Sequence, residues 1–69
     1  MLIGTDIYGR EMDLQHIGNR VFCSHMKDRK VVKVNYIDVS DEIIRMFSIS
    51  RCSGAYIYDT IQRMYGKRL

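Results

Sequence analysis

The sequence predicts an α+β fold, mostly β with one C-terminal α-helix, and three observations carry that prediction. Two apolar runs between Asn19 and Ile37 flank the charged tetrad Lys27-Asp28-Arg29-Lys30, and the second alternates strictly, as a strand requires. Turn signals at Gly9 and Gly18-Asn19 divide the preceding residues into short strand-length segments. Near the C-terminus, Ile57, Ile61 and Met64 recur at helical spacing. The 69 residues suit a single domain, built as a small antiparallel meander or an SH3-like barrel of four to five strands plus the helix.

In chain order, Met1 to Tyr8 reads as a strand with Ile3 and Ile7 as its apolar positions, closed by a turn at Gly9. Glu11 to Ile17 alternates Met12 and Leu14 with Asp13 and Gln15 and reads as a second strand. In the central hairpin, pairing Met26 with Val31 places His25 opposite Val32, Cys23 opposite Val34 and Val21 opposite Tyr36. That register makes Val32, Val34 and Tyr36 the apolar core face and leaves Phe22, Ser24 and Met26 on a mixed face with Asn35, Lys33 and Val31. Asp38 to Glu42 reads as a turn.

The run Ile43 to Ser50 supports two readings. As a helix capped by Ser40 it gathers Ile43, Met46 and Phe47 on one side. As a strand it alternates Ile43, Arg45, Phe47 and Ile49 with Ile44, Met46, Ser48 and Ser50. The β-branched residues, the phenylalanine and the serines favour the strand. The last element runs from Ser53 or Gly54 to Tyr65, with Ser53 as N-cap, an Asp59/Arg63 pair one turn apart and Gly66 as the left-handed stop.

A composition of 46% hydrophobic and 28% charged residues, without proline, argues against disorder. A chain this short buries only about 60% of the surface its unfolded form exposes, so its core is marginal and a homodimer would relieve it. Two cysteines and no apolar leader point to a reducing, cytoplasmic setting, and no segment has the ~20 apolar residues of a membrane span.

With its elements in order, the chain resembles the carbon storage regulator family of small RNA-binding regulators. The matching pieces are Met1-Leu2-Ile3-Gly4-Thr5, Gly9 with Glu11, Ile17-Gly18, and Phe47-Ser48-Ile49-Ser50-Arg51 in the place of the family's fifth strand. The resemblance implies that Arg51 contacts RNA and that the first and fifth strands pair between subunits of a dimer. The chain departs from the family at Asp6-Ile7, where a basic pair is usual, in lacking the Gly-x-x-Ala-Pro turn, and at Cys52 to Ala55, which looks inserted.

Candidate chemistry is sparse. His16, Cys23, His25 and Cys52 supply the ligand count of a zinc site, but Cys23-x-His25 is tighter than the usual paired-ligand spacing. Cys23 with His25 would need a third group and an oxyanion site to act as nucleophile and base, and neither is legible. Asp38, Asp41 and Glu42 read as solvated turn charges, and no nucleotide fingerprint or metalloprotease motif is present. The expectation is a non-enzyme without cofactor.

The net charge of +3 matters through its clustering. Lys27, Arg29, Lys30 and Lys33 gather at the hairpin tip and Arg63, Lys67 and Arg68 near the C-terminus; with Arg51 they form the candidate RNA contacts. Tyr56 and Tyr58 cannot share a helix face, so one, assigned as Tyr56, is free for a partner. The two functional expectations are an RNA-binding regulator and a small inhibitor or adaptor that covers the surface of a host protein.

Overall fold

The computed structural model describes residues Met1–Leu69. Four strands, β1 (Leu2–Thr5), β2 (Glu11–Ile17), β3 (Arg20–Lys27) and β4 (Lys30–Asp38), precede two helices, α1 (Asp41–Met46) and α2 (Gly54–Tyr65). The strands form one antiparallel sheet in the order β1-β2-β3-β4, an open meander whose helices follow in sequence. The mostly β, α+β expectation is met, with a second helix added.

Local chemistry accounts for the turns. Asp28 and Arg29 both take positive φ, 52° and 66°, as a two-residue hairpin turn that matches the right-handed twist of its strands requires. Gly18, at φ 58°, turns β2 into β3, and the main chain and side chain of Asn19 then bond Val39 and Asp41 at 2.7–3.0 Å. The first strand stops at Thr5 rather than Tyr8, because the Asp6 carboxylate accepts the main-chain N–H groups of Tyr8 (2.8 Å) and Arg10 (2.9 Å) and closes a tight loop.

The hairpin register differs from the sequence expectation by one residue. Met26 pairs with Val31 as expected, but Val32 bulges out and His25 pairs with Lys33, Cys23 with Asn35 and Val21 with Ile37. Phe22 and Ser24 therefore stand opposite Tyr36 and Val34, on the face away from the helices. Val32, Val34 and Tyr36, expected in the core, are 53%, 49% and 48% exposed.

The core lies between the other sheet face and the helices: Leu14, Val21 and Cys23 from the sheet meet Val39, Ile43, Ile57, Ile61 and Leu69. Ile57 and Ile61 are fully buried, whereas Met64, the third member of the anticipated stripe, is exposed. Its place is taken by Leu69, which the chain brings back under the sheet after the left-handed Gly66 (φ 65°). Ser53 caps α2 by accepting the N–H of Tyr56 at 3.1 Å, and Gly54 sits directly against Ile3 and Met1.

The strand expected over Ile43 to Ser50 is absent. Asp41–Met46 is helical and Phe47 to Arg51 follows in turns, so the run likened to a fifth strand has no ladder to join. Burial decides this: Ile43 is 2% exposed, and Asp41 and Glu42 place negative charge at the helix start, where the dipole favours it. Ser40 marks the N-cap in extended conformation without a side-chain bond.

Candidate nucleic-acid interface

Asp6 anchors the end of the sheet where the β1–β2 loop and the β3–β4 turn lie side by side. Besides the two loop N–H groups, its Oδ2 accepts Arg10 Nε at 2.7 Å and His25 Nδ1 at 2.8 Å. Burial alone would raise this carboxyl, but the N–H of Arg10, the His25 ring, the Arg10 guanidinium and the N–H of Tyr8 outweigh it and hold the pKa far below the ordinary carboxylate range. Asp6 is therefore a fixed negative charge that organises the cations around it.

His25 is 5% exposed, and its Nε2 lies 2.7 Å from the main-chain oxygen of Leu69. The two ring nitrogens thus face the Asp6 carboxylate and the Leu69 oxygen, one on either side of the ring. Asn35 Nδ2 donates to the same Leu69 oxygen at 2.9 Å. The returning C-terminal residues are thus fixed by polar contacts from β3 and β4 as well as by the buried leucine.

The loop separates two concavities. On one side a cavity of about 490 Å³ is lined by Tyr8, Arg10, His25, Lys33, Tyr58 and Arg68 among others. On the other, a cleft of about 620 Å³ runs between Gly9 and Glu11 and the hairpin residues Met26, Lys27, Asp28 and Arg29. Lys33 and Arg68, far apart in sequence, converge on the first. Neither forms an ion pair or a side-chain hydrogen bond within the chain, so both charges face solvent. Arg10, although paired with Asp6, lies with its guanidinium carbon 4.8 Å from the centre of the Tyr8 ring, and Tyr8 remains 68% exposed.

The remaining candidate residues divide. Lys27, Arg29 and Lys30 are exposed at the tip as expected. Arg63 pairs with Asp59 at 3.0 Å, and Lys67 donates to the Tyr36 carbonyl at 2.7 Å, leaving both partly committed. Arg51 is exposed in the turn before α2 and lines neither concavity. Tyr56 is 52% exposed while Tyr58 is half-buried, in keeping with opposite helix faces. The acidic residues expected in a turn instead end β4 and begin α1, with Asp38 joined to Arg20 at 2.8 Å and Asp41 to Asn19 at 2.7 Å.

Five residues of the site escaped the sequence reading: Asp6, Arg10, Gln62, His25 in its bonded role, and Asn35. Asp6 carried a legible signal, since an aspartate three residues before a glycine is a turn former whose carboxylate caps the following N–H groups. The contacts of His25 and Asn35 to Leu69 bridge 44 and 34 residues and carry no local signal.

Cys23, His25 and Asp6 stand in the order of a nucleophile, a base and an orienting acid, with Sγ 3.8 Å from Nε2 and Nδ1 2.8 Å from Oδ2. Asp6 supplies the third group that the sequence did not reveal. The thiol, however, is fully buried, and burial with the charges of Asp13 and Asp6 pushes its pKa up to about 11. The ring nitrogen that would receive its proton is already engaged with the Leu69 main-chain oxygen. The trio is a satisfied polar core.

The four histidines and cysteines do not converge on one point. His16 lies outside the core with its ring 4.7 Å from that of Phe47, and no three His, Cys, Asp or Glu side chains are arranged to hold a metal ion. No helix is long and apolar enough to cross a membrane. No family model matches this chain, and no curated protein or solved structure matches it either.

Proposed function

We propose that the protein is a small, basic, non-enzymatic module that binds single-stranded RNA across the end of its sheet. The observation that supports this is the convergence of cations on both sides of the Asp6 loop: Arg10, Lys33 and Arg68 on one, Lys27 and Arg29 on the other. Spaced positive charges attract a phosphate backbone, and the exposed Tyr8 backed by Arg10 offers an unpaired base a surface to stack on. Duplex DNA is a poorer fit, because bases stacked inside a duplex would leave the exposed Tyr8 ring with no unpaired base to meet.

The test is a fluorescence anisotropy titration with single-stranded RNA at several salt concentrations. Affinity should fall steeply with salt, and a Lys27/Arg29/Lys30 to alanine variant should bind more weakly with a shallower slope. Absence of any salt-sensitive binding removes the proposal.

A second reading rests on the opposite face. Val31, Val34 and Tyr36 stand exposed on β4 beside Phe22, an apolar surface of the kind a host protein would cover, with Tyr56 exposed elsewhere on α2. Under that reading the chain acts as an inhibitor or adaptor. A stoichiometric partner that survives nuclease treatment of a pull-down, and is lost on Val34→Glu, would favour it over RNA.

A further inference from the structure

The 490 Å³ cavity beside the Asp6 loop has more structure than a stretch of basic surface requires. Its size falls within the ~300–1,000 Å³ range of pockets that enclose a small ligand. Its charge balance favours an anion. The sole acidic side chain in the lining, Asp6, is already bonded by Arg10 and His25, and the Leu69 main-chain oxygen by His25 and Asn35, which leaves Lys33 and Arg68 without an ion pair at the same opening. Aromatic and amide groups complete it. Tyr8 is held by the stacked Arg10, and Gln62, whose side chain makes no hydrogen bond within the protein, offers both a donor and an acceptor.

We infer that this cavity is a nucleotide site: it takes one phosphorylated nucleoside, with the phosphate between Lys33 and Arg68, the base against Tyr8 and the base edge toward Gln62. The inference rests on the RNA reading of the same face and narrows it, because the cavity holds a single unit while the hairpin tip across the loop meets only backbone. A bare phosphate would use the cations and leave the ring and the amide idle. A nucleoside phosphate uses all of them. The ligand has two sources, a free mononucleotide or one unpaired residue of an RNA strand.

The experiment uses the full chain labelled with ¹⁵N. Amide shifts are recorded against uridine 5′-monophosphate, adenosine 5′-monophosphate, inorganic phosphate and a uridine-rich single-stranded oligonucleotide. Three variants are compared: Lys33→Ala with Arg68→Ala, Tyr8→Ala, and the Lys27/Arg29/Lys30 to alanine variant. The first two replace exposed side chains that make no hydrogen bond, so the fold should persist, which the spectra report directly. Shifts should localise to Tyr8, Arg10 and Gln62, and either cavity variant should weaken oligonucleotide binding about tenfold or more, the scale of one lost stacked base or charged phosphate contact.

Response to a mononucleotide identifies a free ligand; response to the oligonucleotide alone identifies a residue of the strand. Both support the site. Inorganic phosphate shifting the same amides as strongly, with Tyr8→Ala silent, overturns the nucleoside assignment. Oligonucleotide binding lost in the tip variant but unchanged in both cavity variants overturns the site and leaves the RNA reading standing. No response to any probe overturns both.

Discussion

Asp6 Oδ2 and His25 Nδ1 meet at 2.8 Å, joining the β1–β2 loop to the buried face of β3 across 19 residues of chain. Through the other ring nitrogen the same contact continues to Leu69, so one histidine ring ties together the loop, the sheet and the returning C-terminal segment.

That arrangement sets a pH dependence. The Asp6 carboxyl titrates far below its ordinary value in the folded chain, so its contribution to stability is complete above the unfolded pKa and disappears as pH falls through the folded one. Asp6→Asn should lower the melting temperature at neutral pH. The gap from the unsubstituted protein should narrow below about pH 4, the unfolded value for aspartate. Thermal melts across pH 2–7 by circular dichroism check this, and a gap that stays constant with pH would contradict it.

The two cysteines should differ sharply toward alkylation. Cys23 is fully buried with its thiol pushed up to about 11, whereas Cys52 is half-buried near the start of α2. Native protein treated with iodoacetamide at pH 8 should be modified at Cys52 first, with Cys23 reacting only in denaturant. Peptide mass spectrometry separates the two sites.

Gly54 should not tolerate a side chain. A Cβ there would collide with Ile3 Cγ2 and approach Met1 Sδ to 2.8 Å, at the point where α2 crosses β1. Although alanine is the better helix former, Gly54→Ala should destabilise by about 1–3 kcal/mol, the cost of overpacking, as read from urea denaturation. A neutral or stabilising result would mean that the first strand gives way freely.

Ile61→Ala tests the core from the other direction. The side chain is fully buried between the sheet and the helices, and its truncation should cost about 2–5 kcal/mol. Met64→Ala, one turn later and 59% exposed, should fall within about 0.5 kcal/mol of the unsubstituted protein. The contrast separates buried position from mere membership of the apolar stripe.

The strands, their order along the chain and the limits of α2 were legible because each depends on local signals: alternation, turn residues, a serine cap and a glycine stop. The faces of β4 were not. Valine stands at positions 31, 32 and 34, so both faces carry apolar residues, and a single bulged residue reverses which of them faces inward. Residues 43 to 46 were ambiguous for a different reason. Six residues of helix contain too few turns to express a period, and packing of Ile43 against the core decides the outcome. Of the site, the hairpin-tip cations were visible as a cluster, while the meeting of Lys33 with Arg68 depends on the path of the chain after Gly66.

The extra residue in β4 makes tolerance to changes in chain length unequal. Excising Val32 would let the ladder run unbroken from Lys30 to Asp38 with every cross-strand neighbour kept, so the protein should survive that deletion. Lengthening the neighbouring strand by one residue at Ser24 would offer each residue beyond it a second frame, in which Lys33 and Asn35 turn outward and Leu69 loses its amide partner. A library of single-residue insertions and deletions across the hairpin would record that imbalance as a tolerated gap facing an intolerant segment.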